Sequence, residues 1–132
     1  MNKLIVLNEL DRCDLECDGL STVISSLLTA AGFKHELYIG RVSSNVGRIS
    51  PHLWIEIDGF VIDYRLRMWL GDDPSIPHGV FKKDEHSNII YTGTLREARG
   101  GEDTIAQILC FTAGIDFKDM VRKLKSDVRN KN

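Results

Sequence analysis

A chain of 132 residues with 42% hydrophobic and 27% charged content is sized for a single domain, residues 1–132, whose core needs neither disulfides nor a structural metal. Its net charge of -2 and pI near 6.1 exclude the broad basic footprint of a nucleic-acid binder, and no run nears the roughly 18 apolar residues of a membrane span. Three cysteines, an odd number, suit a reducing compartment, and the apolar start is too short for a signal peptide, with acid following at Glu9, so a cytoplasmic protein is expected.

In chain order, Lys3 to Leu10 fits a short helix or a strand, and Cys13 to Glu16 is polar and irregular. Leu20, Val23, Ile24, Leu27, Leu28 and Ala31 recur on one stripe and predict a helix that Gly32 terminates, with Cys17 on the same stripe at its N-terminal tip. Asp14, Glu16 and Asp18 put negative charge at the positive end of its dipole. His35 to Val42 reads as a strand and Ser43 to Ser50 as a loop. Pro51 to Asp63 reads as a hairpin around Asp58-Gly59, the dipeptide suited to a two-residue turn with positive φ. Arg65 to Leu70 extends it or turns helical, Gly71 to Gly79 is irregular, and Val80-Phe81 and Asn88 to Thr92 are short strands. Two helices close the chain. Thr104 to Phe111 is capped near Glu102 or Asp103, and Asp116 to Val128 follows Gly114. Arg122, Lys123, Lys125, Arg129 and Lys131 read as a solvated face and tail. The order is α+β: a small antiparallel meander sheet with an N-terminal helix and C-terminal helices packed on it.

The hairpin carries the chemistry. Pairing Ile57 with Phe60 places Trp54 opposite Asp63 and His52 opposite Arg65. Alternation then puts Leu53, Ile55, Ile57, Phe60, Ile62 and Tyr64 on an apolar face that holds the sheet in the fold. His52, Trp54, Glu56, Val61, Asp63 and Arg65 share the other face, where chemistry is expected. His52 and Asp63 are diagonal neighbours there, and a carboxylate beside an imidazole fixes its tautomer as a general base requires. A cysteine at a helix N-terminus is the usual setting of an activated thiolate, because the dipole and free N–H groups stabilise the anion. The same N–H groups can bind an oxyanion. Cys17, His52 and Asp63 are therefore the parts of an acyl-transfer site.

The segment Cys17-Asp18-Gly19-Leu20 through Gly32-Phe33, the strand Leu37 to Val42, the run His52-Leu53-Trp54-Ile55-Glu56 and the strand-ending Asp63 resemble the transglutaminase-like, papain-fold superfamily in order and spacing. The short Asp58-Gly59 turn and small size are most similar to its compact branch, which includes the leader peptidases of lasso-peptide biosynthesis. The resemblance spans Asp14 to Tyr64. It implies a papain-like core in which Cys17 is the nucleophile, His52 the general base and acid, Asp63 the orienting carboxylate and Trp54 a wall of the site. A peptide or protein amide is the implied substrate, with no metal and no organic cofactor. Relatives carry a small residue before the Cys; here it is Glu16, whose charge would raise the thiol pKa unless it points away. A side-chain oxyanion donor would come from Asn8 or Arg12, two candidates the sequence leaves open.

Other readings stand beside this one. Arg65 faces His52 in this register, where it could touch an anionic substrate or pair with Glu56 or Asp63. Pro77-His78-Gly79 could border the cleft. The fold could serve as a non-catalytic binding module with an ordinary thiol at Cys17. Cys13, Cys17 and His52 could instead hold zinc, with His78 or His35 as the fourth ligand. Cys110, within Ile108 to Phe111, is expected in the core.

Overall fold

The computed structural model describes residues 2–100 and 103–129, and side chains from 4 to 126 within them. Lys131 lies outside the described residues, as does the side chain of Arg129. The chain is α+β, with one five-stranded sheet whose neighbours are all antiparallel. A 3-10 helix, Asn2–Leu10, leads to α1 (Cys17–Ala30), then β1 (Glu36–Ser44), β2 (Arg48–Ile57) and β3 (Phe60–Asp63). A single helical turn, α2 (Leu66–Trp69), precedes β4 (Gly79–Lys82) and β5 (Ile89–Arg96), and α3 (Thr104–Ala113) and α4 (Phe117–Arg129) end the chain. Among the described residues no helix is long and apolar enough to cross a membrane.

The local signals act where the sequence places them. Asp58 and Gly59 take φ of 50° and 80°, which closes the β2–β3 turn and sets Ile57 opposite Phe60, Glu56 opposite Val61 and Ile55 opposite Ile62. The Asp103 side chain accepts from the Ala106 N–H at 3.0 Å and caps α3. Gly114, at φ 74°, ends it.

Three expectations change. The segment 43–50 is mostly strand: Ser44 takes the Val46 and Gly47 N–H groups on its hydroxyl and closes a turn so tight that β1 and β2 run almost directly into each other. The final strand continues to Arg96, past the expected Thr92. The sheet is also no simple meander, because its order is β4-β3-β2-β1-β5: β5 crosses back to lie on β1. Gly40 and Gly93 face each other in that pairing. A Cβ on Gly93 would stand 2.5 Å from the Ile39 carbonyl oxygen and 2.8 Å from the edge of the Trp54 ring, so the close approach needs glycine.

Both faces of the sheet are covered. Leu53, Ile55, Ile57 and Ile62 pack under α1, α3, α4 and the N-terminal helix, the apolar face the alternation predicts. The other face is not an open surface. Trp54 and Val61 anchor a second core there, closed by Leu66, Leu70, Ile76 and Phe81 from the chain after β3. This loop-built layer explains why Trp54 is 1% exposed.

Candidate active site

The β2–β3 ladder stops at the Ile55–Ile62 pair, and beyond it the two strands part. The N-terminus of α1 lies at that opening. A hollow of about 10 Å³ there is bounded by Cys17, Ser21, Leu53, Asp63, Tyr64 and Arg65. Cys17 is the first residue of the helix, so its N–H stands outside the intrahelical ladder, which begins with Leu20 N–H to the Glu16 carbonyl at 2.8 Å. Burying the stripe that starts at Leu20 fixes the rotation of the helix, and this turns Cys17 inward.

His52 is fully buried. Its Nε2–H donates to Asp63 Oδ2 at 2.8 Å, since an ionised carboxylate only accepts. That leaves Nδ1 as the imidazole acceptor, and it is buried with no regular hydrogen-bond partner. Cys17 interacts with the same ring. The His52 contact holds the thiol below its ordinary pKa against the cost of burial, helped by the Leu53 backbone N–H directed at the sulfur. The carboxylate that opposes the thiolate is Asp18; Glu16, the residue in question from sequence, is exposed. On His52, burial disfavours the charge, but the bond to Asp63 and the interaction with Cys17 outweigh it and raise the ring to about 9. The two directions agree: the pair favours thiolate and imidazolium.

Asp63 is itself held by four donors. Oδ1 accepts from the backbone N–H groups of Arg65 at 3.1 Å and Leu66 at 3.0 Å, so the carboxylate also starts the α2 turn. Oδ2 accepts from His52 and from the Tyr91 hydroxyl at 2.9 Å. Sequence reasoning missed Tyr91, which arrives from β5; the glycines at 40 and 93 are what let β5 come so close.

Of the two residues offered as substrate contacts, Trp54 lies inside the protein, and Arg65, though nearly buried, lines the hollow at Cys17 and the cleft beside it. Trp54 is sandwiched among aromatic rings, parallel to His52 at 6.4 Å and to Tyr38 at 5.7 Å, with Tyr91 tilted at 4.7 Å. Its indole N–H donates to Glu56 Oε2 at 3.0 Å, the oxygen that also takes Lys83. Trp54 thus backs the imidazole from within the core. Arg65 is 6% exposed, and its guanidinium forms an ion pair with neither Glu56 nor Asp63. Its guanidinium donates to the Leu15 carbonyl at 2.7 Å, the Cys13 carbonyl at 3.0 Å, the Tyr64 carbonyl at 2.9 Å and Asp11 Oδ1 at 3.2 Å. It ties the segment that delivers Cys17 to the strand end that carries Asp63.

The zinc ligands do not gather. His78 bonds Asp11 at 2.8 Å, His35 bonds Ser25 at 2.6 Å, and Cys13 lies against Arg65. No cluster of three or more His, Cys, Asp or Glu side chains suited to a metal occurs among the described residues. Of the two oxyanion candidates, Asn8 is engaged through Oδ1 by the Tyr64 hydroxyl at 2.6 Å, and Arg12 is exposed. A cleft of about 530 Å³ borders the site, with Asp11, Leu15, Glu16, Arg67, Met68 and His78 among its walls. The roomier hollow, about 740 Å³, lies at the other end of α1 near Gly32 and Asp58, away from this chemistry. Comparison with known proteins returns no matching family model, no matching curated protein and no matching solved structure.

Proposed function

We propose that this chain is a cysteine-dependent acyl-transfer enzyme of transglutaminase-like, papain-like architecture, acting on a peptide or protein amide. One observation carries the reading: a helix-tip thiol interacts with a buried imidazole whose Nε2 is fixed by a carboxylate and whose Nδ1 has no hydrogen-bond partner. The Cys17 thiolate adds to the carbonyl carbon, and the oxyanion forms beside the Cys17 N–H, which stands outside the helical ladder. The His52 imidazolium then gives its proton to the leaving amine, and the C–N bond breaks to leave a thioester on Cys17. A water molecule attacks the thioester while His52 takes its proton; the acid departs and the thiolate–imidazolium pair returns. Trp54 and Arg65 serve as supports, one behind the imidazole and one behind the nucleophile's approach segment.

The cleft along Leu15 and Glu16 shares Tyr64 and Arg65 with the hollow at Cys17, and its volume of about 530 Å³ suits the peptide flanking the scissile amide. A library of fluorogenic peptide amides tests the proposal. Turnover is expected in the parent chain, with a thioester adduct on Cys17 seen by mass spectrometry, and none in Cys17→Ala or His52→Ala. Turnover that survives Cys17→Ala would exclude the mechanism.

A further inference from the structure

We infer that Tyr91 is a positioning residue of this site, which shares Asp63 Oδ2 with His52 and thereby limits how strongly the carboxylate holds the protonated imidazole. The inference rests on the Cys17–His52–Asp63 chemistry proposed above and adds a control element from a strand outside the hairpin.

The geometry gives Asp63 a full set of donors. Two backbone N–H groups occupy Oδ1, while His52 and Tyr91 meet on Oδ2 at 2.8 and 2.9 Å. Each donor draws part of the carboxylate charge toward itself. The backbone pair and His52 come with the local chain, but Tyr91 is brought in by the pairing of β5 with β1. Its ring rests on Trp54, which in turn lies parallel to His52, so the phenol is aimed rather than free to rotate away. Burial, and then the charge of Asp63, push Tyr91 far above the ordinary phenol range, so it stays a donor at any working pH.

The other charged or titratable groups around the pair are already committed. From α1 come Cys17 and, acting on it, Asp18. From β2 comes Glu56, bound to Trp54 and Lys83. Arg65, just past β3, spends its guanidinium on residues 11–15 and Tyr64, and Tyr38 of β1 stacks on the far side of Trp54. Among the described residues, Tyr91 is therefore the one side chain besides His52 that donates to Asp63.

Removing the phenol hydroxyl leaves more of the Oδ2 charge to His52. Histidine ring resonances of the full chain, followed by NMR against pH, read this directly. In Tyr91→Phe the His52 midpoint should rise by roughly half to one pH unit, about what one shared charge-assisted hydrogen bond supports. With 3-fluorotyrosine installed at position 91 alone, a stronger donor, it should fall. A midpoint that stays put or drops in Tyr91→Phe would overturn the proposal and leave Tyr91 as a packing residue. Iodoacetamide alkylation of Cys17 in the same samples separates the two claims. If Cys17 in the parent chain reacts no faster than in His52→Ala, the acyl-transfer reading fails and this inference falls with it. A fast, His52-dependent Cys17 with an unmoved midpoint overturns the inference alone.

Discussion

Asp63 decides more of this site than its short side chain suggests. It orients His52, takes two backbone N–H groups where β3 ends, and receives Tyr91 from across the sheet. Asp63→Asn keeps the shape but removes the charge and turns one acceptor into a donor. Turnover should fall on the order of 10²- to 10⁴-fold, measured with the best amide from the library. Thiolate and imidazolium coexist from the lowered pKa of Cys17 up to the raised value of His52, about 9. Below that window the thiolate is protonated; above it His52 loses the proton that the leaving group needs. In Asp63→Asn the upper edge should move down, because a neutral amide no longer favours the imidazolium. Cys17, His52 and Asp63 were legible as candidates because each announces itself locally: a cysteine at a helix start, and a histidine and an aspartate at fixed offsets from an Asp-Gly turn. Tyr91 was not, since nothing near it in the chain says which strand β5 will join. Arg65 pairs with Asp11 rather than Glu56 or Asp63 for a related reason: alternation gives the face of a strand residue, but β3 ends at Asp63, so the rule no longer governs position 65.

At the scale of elements, the hairpin and α1 follow from periodicity and turn chemistry, while the outer strands depend on partners far away in sequence. The β1–β5 pairing shows why. Gly40 stands between His52 and Gly93 in one cross-strand row, and the missing side chains let β5 come close enough for Trp54 to lie against it. A glycine inside a predicted strand warns of a close approach without naming the approaching group. Gly93→Ala should cost about 1–3 kcal/mol in urea unfolding, since the new methyl meets backbone at 2.5 Å and the Trp54 ring at 2.8 Å. It should also disturb the site through Tyr91, two residues away. The same tightening that turned the segment 43–50 from loop into strand came from one serine, Ser44, bonding both N–H groups of its turn.

For the whole molecule, the sheet separates two cores, and the candidate site sits where its middle strands part. The helix-covered core was legible, because the α1 stripe and the alternate positions of the hairpin pointed to it, although Ile105, Ile108 and Phe111 of α3 are exposed. The second core was not. It is built from Leu66, Leu70, Ile76 and Phe81 on irregular chain and short elements, where no period exists to read. That layer is why the His52 face is interior and why the opening lies at the strand ends instead. Trp54→Ala should therefore act on the fold first: a loss of about 3–5 kcal/mol in denaturant unfolding, with Cys17 reactivity falling as support behind His52 is lost. The central claim is that the fold sets one thiol apart from the other two. Limiting iodoacetamide on the native chain near pH 7, followed by peptide mapping, measures that directly. Cys17, held below its ordinary pKa by His52, should be alkylated well before the others, and Cys110, buried and raised to about 11, should be spared. The preference should vanish in His52→Ala. Equal labelling of the three cysteines, or a Cys17 that reacts no faster than in His52→Ala, would contradict the account.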